Sequence, residues 1–256
     1  MNLTYRMVSI FSVPLSSLTK QEFQSDCGRL LQEGTQVSVA TVNPEILLLA
    51  KKNPRFVRTL SSCSFRVVDG FGISLAMYCK YHVHLSRITG SDAVEALIRI
   101  ARERKFSVGL IGGKKGRSTR AVQTLHTRYP DVQFVDVLNG EDCIVDKDGK
   151  FIHGEQTFAR GMVLHKPNVL FVAFGAQKQE SFLLQLFERY SFLRAAIGVG
   201  GLVDVWSGDI KRSPRIFSRL GLEWLWRLFQ EPKRFTRIVN AVIVFPIQAI
   251  FFDRRQ

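Results

Sequence analysis

The chain has 256 residues, 46% of them hydrophobic, which is enough to build the core of one large domain or of a domain with an appendage. Its four cysteines form no C-x-x-C pair and have no histidine cluster beside them, which argues against a disulfide framework and a zinc-binding motif. The formal net charge of +14 indicates an anionic partner, and nucleic acid, an anionic membrane surface and a phosphate-bearing substrate all fit it.

Up to about residue 200, apolar runs typical of strands alternate with helical patterns. The predicted strands are Val37–Thr41, Phe65–Val68, Val108–Ile111, Val132–Val137, Val169–Phe174 and Ala195–Val199. The predicted helices are Lys20–Gln32, Pro44–Lys52, Gly72–Lys80, Asp92–Arg104, Arg117–Arg128 and Gln179–Tyr190. This alternation predicts an α/β fold with a single Rossmann-like, mainly parallel sheet flanked by helices on both faces. In such folds, binding sites gather where strands end and helices begin.

The stretch Asn139–Gln156 interrupts this pattern and is predicted to be a loop-rich insertion. Within it, VDKDGKF is typical of a hairpin turn. Asp146 and Asp148 match the D-x-D spacing by which many sugar transferases bind a divalent ion, but a polar, glycine-containing hairpin favours an ordinary turn. We therefore predict no metal site.

The alternation stops after Val199. Pro214 is predicted to start a helix that runs to about Phe229, and Pro232 to start a second helix. We therefore expect residues 1–207 to form an α/β core and residues 208–256 to form a helical, basic appendage. From Val205 onward the chain has ten Lys/Arg and four Asp/Glu, with large aromatic side chains between them. This composition suits a surface that meets phosphates and lipid headgroups, and it equally suits a docking helix with a solvated basic face.

The two ends of the chain carry no segment that we expect to span a membrane. The first residues lack the long apolar core and the cleavage site of a signal peptide. The apolar tail Ile238–Phe252 is shorter than the roughly 20 residues that a spanning helix needs, and polar residues and a proline interrupt it. We expect this tail to lie on a bilayer or to pack against a neighbouring subunit.

Polar side chains follow three of the predicted strands. Thr41 and Asn43 come at the end of the first, where Asn43 favours a helix start and where the hydroxyl and amide can also hold a ligand. Asp69 ends the second strand, as part of an Asp-Gly turn or as a carboxylate that accepts a proton from a substrate hydroxyl. Gln177 and Gln179 flank a lysine directly after a Gly-Ala turn, which is more polar character than a turn requires.

Two further turns have the character of phosphate-binding sites. The run Thr89–Asp92 is typical of a helix N-cap, and a helix N-terminus beside Arg87 can also bind an anion. Gly112, Gly113 and Lys114 form a glycine-rich turn that can cradle a diphosphate. Because this turn lacks the spacing of G-x-G-x-x-G and of the P-loop, it argues against a dehydrogenase or a kinase.

Seven motifs occur in a fixed order, namely TVNPE, VVDGFG, RITGSD, GLIGGKKG, FVAFGAQKQE, IGVGGLVDVWSGDIKRSP and RLGLEWLWRLFQEPKR. As a set, they resemble the WecG/TagA/CpsF family of bacterial glycosyltransferases (glycosyltransferase family 26), over about Thr41 to Arg237. The resemblance implies the fold called GT-E and an inverting, metal-independent reaction that uses no cofactor. It implies transfer of N-acetylmannosamine, or its uronic acid, from a UDP-sugar to the 4-hydroxyl of N-acetylglucosamine on undecaprenyl diphosphate. Such a step belongs to teichoic acid or surface polysaccharide synthesis.

Matched position by position, the resemblance implies roles for particular residues. Asp69 would be the catalytic base, with Thr41 and Arg87 completing the catalytic set. The remaining substrate-binding positions are Asn43, Gly112, Gly113, Lys114, Gln179 and, in the appendage, Arg227, Arg234 and Arg237. These three arginines would close over the active site at the membrane. Gln177 stands where the family usually has proline, so the resemblance does not define the shape of that turn.

These features predict a cytoplasmic protein bound peripherally to the inner face of the bacterial plasma membrane. The expected partners are the UDP-sugar, the lipid-linked acceptor and an anionic membrane surface, without nucleic acid, and homo-oligomer formation stays open. One alternative is a related UDP-hexose or UDP-hexuronate transferase. Another is a non-catalytic membrane scaffold, for which loss of the Asp69 carboxylate would have no consequence. A basic nucleic-acid-binding module is the third, and it would bind DNA in a salt-sensitive way.

Overall fold

The computed structural model of the chain describes residues 6–214, 217, 223–232 and 235–252. Its strands are β1 Arg6–Ile10, β2 Val13–Ser17, β3 Val37–Val42, β4 Phe65–Val68, β5 Val108–Gly112, β6 Phe134–Asp136, β7 Ile144–Val145, β8 Phe151–His153, β9 Val169–Ala173 and β10 Ala195–Gly198. Its helices are α1 Lys20–Gln32, α2 Pro44–Lys51, α3 Pro54–Ser62, α4 Phe71–Tyr81, α5 Gly90–Arg104, α6 Arg117–Arg128, α7 Glu155–His165, α8 Lys178–Arg189, α9 Leu202–Trp206, α10 Glu223–Gln230, α11 Phe235–Val239 and α12 Phe245–Phe251. A π-helix, Asn240–Val244, leads directly into α12.

Eight strands form one sheet in the order β1-β2-β4-β3-β10-β9-β5-β6. Only the β1–β2 pair is antiparallel in this sheet. The prediction of a mainly parallel sheet flanked by helices is therefore confirmed. The separate β7–β8 hairpin lies within the predicted insertion, and the Asp146 carboxylate at its turn accepts hydrogen bonds from the Asp148 and Lys150 N–H groups at 2.9 Å. The D-x-D sequence thus forms an ordinary hairpin turn, as predicted.

Helices cover both faces of the sheet because strand side chains alternate between two apolar layers. In β3, Val37 and Val39 pack in the same core cluster as residues of α1 and α5, whereas Ala40 and Val42 pack with residues of α2, α3 and α4. All four side chains are buried. Apart from Ser38 and Thr41, β3 is therefore apolar on both faces.

The sequence patterns missed the β1–β2 hairpin and the helices α3, α7 and α9. The hairpin turns at Phe11 and Ser12, which have φ values of 50° and 62°. Two-residue turns with positive φ usually contain Asn or Gly, so this one carries no sequence signal. Helix α3 did carry a signal, because Asn53 caps it and Pro54 occupies its first turn, as the Asn-Pro pair of α2 does.

The four cysteines are free thiols, and three of them, Cys27, Cys63 and Cys143, are buried. Burial raises the pKa of the Cys63 and Cys143 thiols to about 12. They therefore stay protonated at neutral pH and act as small apolar groups in the core.

The C-terminal segment is helical wherever the structure describes it beyond residue 222, apart from short connections. The later part of the helix predicted from Pro214 to about Phe229 is observed as α10, and residues 215–216 and 218–222 of that prediction lie outside the described residues. The predicted second helix corresponds to α11, which follows residues 233–234, also outside the described part. Among the described helices, none is both long enough and apolar enough to cross a bilayer.

One face of the apolar tail packs against the chain's own core. Phe245 and Ala249 of α12 are buried, and the Phe245 ring meets the Phe11 ring edge-on with 6.1 Å between centroids. Lys80 Nζ donates to the Ala249 carbonyl oxygen at 3.0 Å, and Lys51 Nζ donates to Gln248 Oε1 at 2.9 Å. The tail is thus anchored to α2 and α4 by apolar contacts and by two lysines, an arrangement the sequence did not reveal.

We expect Phe245→Ala to lower the free energy of unfolding by about 3–5 kcal/mol, because it leaves a cavity beside Phe11. Phe251→Ala is the matched control on the same helix, since Phe251 is 75% exposed, and it should change stability little. Urea unfolding followed by circular dichroism measures both. Equal, small effects of the two substitutions would show that α12 does not contribute to the cooperative core.

Candidate active site

The carboxyl ends of five adjacent parallel strands, β4, β3, β10, β9 and β5, meet at one edge of the sheet. Above this edge lies a cleft of about 790 Å³. The chain crosses from one half of the sheet to the other between β4 and β5, so the cleft lies at the kind of switch point where α/β proteins bind ligands. Seven of the predicted site residues line it: Thr41, Asn43, Asp69, Arg87, Gly113, Gln179 and Arg237.

Asp69 leaves the end of β4 and directs its carboxylate toward the start of α5. Its Oδ2 accepts a hydrogen bond from the Gly90 N–H at 3.1 Å, and its own N–H donates to the Val42 carbonyl oxygen at 2.7 Å. Gly70 follows with φ of 122°, and a Cβ there would lie 3.1 Å from Pro44 Cδ. The turn therefore requires glycine, and it holds the Asp69 carboxylate in one orientation at the floor of the cleft.

Thr41 and Asn43 reach the cleft from the end of β3. The Thr41 hydroxyl is buried and lies 3.5 Å from the Gly198 carbonyl oxygen at the end of β10. Asn43 Oδ1 accepts a hydrogen bond from the Ile46 N–H at 3.0 Å and caps α2, as predicted. One lone pair of Oδ1 is used in this way, and the donors that Asn43 can offer a ligand are the N–H groups of its amide.

The N-terminus of α5 forms one wall of the cleft. Thr89 and Asp92 make a reciprocal capping box, and Lys20 Nζ donates to Asp92 Oδ1 at 2.7 Å. Burial opposes ionisation of Asp92, but the hydrogen bonds from Lys20 and Thr89 outweigh it and lower the pKa of the carboxyl. Arg87 lies half-buried just before this cap, and the Ile88 N–H holds the segment against the Val68 carbonyl oxygen at 2.9 Å.

The glycine-rich turn after β5 connects the main cleft with a smaller pocket of about 240 Å³. Gly113 lines both pockets, whereas Lys114 lines only the smaller one, together with Lys178 and the hairpin residue Val145. Gly112 lines neither. A Cβ on Gly112 would lie 2.7 Å from the Ala173 carbonyl oxygen, so its role is to let β5 end close against β9.

Gln179 and Glu180 form a buried polar pair at the start of α8. Gln179 Nε2 donates to Glu180 Oε1 at 2.8 Å, and both side chains are buried. Burial raises the pKa of Glu180 to about 7, against the lowering effect of the hydrogen bonds from Gln179 and from backbone N–H groups. The pair was predicted only in part, because the sequence singled out Gln179 and not its partner.

Gln177 lies in the turn between β9 and α8, with φ of 69°. Proline cannot adopt this conformation, since its ring fixes φ near −65°. The backbone of this turn therefore differs from any that a proline in this position would allow.

The segment after residue 207 supplies another wall of the cleft. Trp226 Nε1 and Gln230 Nε2 both donate to the Lys211 carbonyl oxygen, at 3.1 and 2.9 Å, and Gln230 Oε1 accepts from the Lys211 N–H at 2.8 Å. Helix α10 is thereby fixed along the chain that leaves the core. Lys211, Trp226 and Gln230 all line the cleft, as does the neighbouring Arg212.

Arg237 lies at the edge of the cleft and is held by Glu45 in the first turn of α2. Its Nε and Nη2 donate to Glu45 Oε1 at 2.9 and 2.6 Å, and Nη2 also donates to Oε2 at 2.8 Å. This forked pair fixes both the position and the plane of the guanidinium. Of the other two predicted arginines, Arg227 belongs to α10 but its side chain is not described, and Arg234 lies outside the described residues.

Several lining residues were missed by the sequence analysis, although the stretch that contains them was noted. The turn Gly200–Gly201 and helix α9 border the cleft beside Asp69 and Gln179. Asp204 of α9 pairs with Arg117 of α6, which also pairs with Asp209. These ion pairs tie the glycine-rich segment after β10 to α6. Their partners are far apart in sequence, so only the fold reveals them.

Among the residues that the structure describes, no three Asp, Glu, His or Cys side chains lie close enough to hold a metal ion. The polar groups of the described cleft are instead hydroxyls, amides, carboxylates and cations. Asp69 can accept a proton, and Arg87, Lys211, Arg212 and Arg237 can bind phosphate oxygens.

We expect Glu180→Gln to change how stability depends on pH. In the wild type, the folded-state pKa of about 7 exceeds the usual 4.5, because the fold favours the protonated carboxyl. The contribution of this group to the free energy of unfolding is therefore fully present below pH 4.5 and is lost as the pH rises through 7. Glutamine does not ionise and loses no such contribution. Relative to the wild type, the free energy of unfolding of the variant should therefore rise by up to about 3 kcal/mol between pH 4.5 and pH 8. Urea unfolding across this range measures it. Parallel stability profiles would show that Glu180 does not titrate there.

Comparison with known proteins agrees with the resemblance seen in the motifs. The model of the Glycosyl transferase WecG/TagA/CpsF family matches residues 8–256. An N-acetylglucosaminyldiphosphoundecaprenol N-acetyl-beta-D-mannosaminyltransferase of Bacillus subtilis (strain 168) is 32% identical over 203 residues, 79% of this chain and 75% of that protein. The protein of the same name from Bacillus spizizenii (strain ATCC 23059 / NRRL B-14472 / W23) is 30% identical over 211 residues, 82% of this chain and 77% of its own length. The chain therefore belongs to the WecG/TagA/CpsF family of glycosyl transferases.

Proposed function

We propose that this chain transfers an N-acetylmannosamine-type sugar from a UDP-sugar to the 4-hydroxyl of N-acetylglucosamine on undecaprenyl diphosphate. The two Bacillus relatives are named for the transfer of N-acetylmannosamine to this acceptor, which supports the assignment. The single structural observation that carries it is the Asp69 carboxylate, fixed by the Gly90 N–H in a cleft that cationic side chains also line. The pathway would be teichoic acid or surface polysaccharide synthesis.

Asp69 acts as the general base in this proposal. The 4-hydroxyl attacks the anomeric carbon on the face opposite UDP, so the configuration at that carbon inverts. The new carbon–oxygen bond forms as the bond to the diphosphate oxygen breaks, and UDP leaves with the bonding electron pair. The hydroxyl proton passes to the Asp69 carboxylate. Thr41 and the Asn43 amide N–H groups lie in the same cleft and orient the sugars there.

Cationic side chains stabilise the departing diphosphate. The N-terminus of α5 lines the cleft with its positive dipole end, and Arg87 lies just before it. Arg237 also lines the cleft and presents a guanidinium that Glu45 already orients. The Gly113–Lys114 turn lines the smaller pocket, which offers room for another part of the nucleotide.

The lipid-linked acceptor implies a place at a membrane. We propose peripheral association with the inner face of the plasma membrane through the basic segment 208–256, which also lines the cleft with Lys211, Arg212 and Trp226. Because the cleft is built partly from this segment, membrane contact and completion of the active site are coupled in this proposal. Arg227 and Arg234 are proposed to add to this cationic surface.

We expect Asp69→Asn to lower the rate of sugar transfer about 10²–10⁴-fold, because the amide cannot accept the hydroxyl proton. Acceptor-dependent UDP release is measured with a synthetic N-acetylglucosaminyl-diphospho-lipid, a panel of UDP-sugars and a chelator, which should not slow the reaction. Asp131→Asn is the control, since that carboxylate pairs with Arg102 on the surface. Full activity of Asp69→Asn would show that Asp69 is not the base. If folded wild-type protein released no UDP with any donor, the result would favour the membrane scaffold.

We expect Arg237→Gln to lower kcat/KM for the lipid-linked acceptor by about 10–100-fold, since a hydrogen bond to a charged group contributes about 1.5–3 kcal/mol. Glu45→Gln keeps the guanidinium but loosens its orientation, so its loss should be smaller. Arg102→Gln is the matched control, an arginine that pairs with Asp131. If Glu45→Gln lowered activity more than Arg237→Gln, the carboxylate and not the guanidinium would be the group that matters.

A further inference from the structure

Helix α4 begins two residues after Asp69 and carries an exposed apolar stripe. Phe71, Leu75 and Tyr78 are 57%, 42% and 47% exposed, and their spacing of four and three residues places them on one side of the helix. The opposite side of α4 enters the core through Ile73 and Met77. The exposed stripe is therefore not needed to hold α4 in place.

The tail next to α4 shows the same division. Phe245 and Ala249 enter the core, whereas Ile243, Ile247 and Phe251 are 54%, 49% and 75% exposed, at a spacing of four residues. A soluble helix that already has a buried face usually exposes polar side chains on the other face. This tail instead is apolar on both faces.

The two helices run side by side in the same direction. A Cβ on Gly72 would lie 3.6 Å from the Ala241 carbonyl oxygen, and eight residues further along α4 Lys80 Nζ donates to the Ala249 carbonyl oxygen. Their inner sides enter one core cluster, so their outer sides point the same way. Together Phe71, Leu75, Tyr78, Ile243, Ile247 and Phe251 form a surface about 12 Å long, which we call the α4–tail face.

We propose that the α4–tail face, including the core helix α4, enters the boundary between lipid headgroups and acyl chains of the bilayer. The inference rests on the proposed function, because the acceptor is attached to a lipid. Only one sugar and two phosphates separate its reacting hydroxyl from the polyprenyl chain. The surface that meets the bilayer must therefore border the pocket of Asp69, and the α4–tail face starts beside that residue.

The charges around this face fit anionic lipid. Lys51 lies between the Phe11 and Phe252 rings, with Nζ at 4.7 and 5.9 Å from their centroids, and Lys80 lies 5.2 Å from the Tyr81 ring centroid. Lysines beside aromatic rings at the edge of an apolar surface can reach phosphates while their stems stay in the acyl boundary. The chain's net charge of +14 adds a long-range attraction to anionic headgroups.

The test compares two double variants of the full chain. Leu75→Gln with Tyr78→Gln makes the α4 part of the face polar. Val163→Gln with Leu164→Gln is the matched control, since these side chains on α7 are 62% and 77% exposed and belong to a helix whose buried residues lie in a different core cluster. Flotation with vesicles of phosphatidylglycerol and phosphatidylethanolamine, without sugar substrates, measures lipid binding, and thermal melting checks that each variant is folded.

We expect the α4 variant to bind the vesicles about tenfold more weakly than the wild type, and the α7 control to bind as the wild type does. Transfer to an acceptor embedded in vesicles should fall with lipid binding, while transfer to a short-chain, water-soluble acceptor stays unchanged. A folded α4 variant that binds vesicles like the wild type would overturn the proposal. So would unchanged vesicle binding with loss of a dimer in light scattering, since the face would then join two copies of the chain.

The two proposals fail in different ways in this experiment. If wild-type protein releases no UDP with either acceptor but the α4 variant still loses vesicle binding, the transferase assignment fails and the lipid-binding face stands. If the wild type and the α4 variant use both acceptors equally well and vesicle binding is unchanged, the transferase assignment is supported and lipid binding by the α4–tail face is ruled out.

Discussion

Burial of the central strands on both faces is the constraint on which the site depends. Apolar side chains fill both layers around β3, β9 and β10, and the polar residues within these three strands are Ser38 and Thr41 of β3. Their carboxyl ends all emerge at one edge, since the strands are parallel. Thr41, Asp69 and Gln179 come together for this reason, although they are spread over most of the core sequence. The chemistry is thus gathered at the carboxyl ends of the strands and in the turns and helix starts that follow them.

The segment after residue 207 is part of the same structure because three kinds of contact attach it. Phe245 enters the core, Gln230 clasps the backbone of Lys211, and Glu45 of α2 holds Arg237. The ion pair is partly exposed and contributes little to stability by itself, so its consequence is geometric. It places a guanidinium from near the C-terminus at the edge of a cleft whose floor is formed by Asp69.

Sequence patterns predicted the core elements well because hydrophobic periodicity and caps are local properties. Asn43 and Pro44 predict the start of α2, and the position of Asp69 at a strand end marks it as a candidate site residue. The β1–β2 turn was missed because its positive-φ residues, Phe11 and Ser12, are not the Asn or Gly usual in such turns, and Glu180 because its burial depends on the fold around it. The tail was predicted to be apolar, but its contact with α4 joins residues about 170 positions apart in the chain, which no local pattern encodes.

Helix α4 links the proposed chemistry to the proposed lipid contact through its geometry alone. Its N-terminus follows the Asp69 turn, its inner side is fixed by Ile73 and Met77, and its outer side is apolar. A rigid helix leaves little freedom between its ends and its faces, so seating the outer side on a bilayer would set the height of the Asp69 carboxylate above the headgroups. Flexible attachment to the membrane would leave that height undefined. A core helix that contacts lipid directly would instead present the base to an acceptor whose reach is limited by one sugar and a diphosphate.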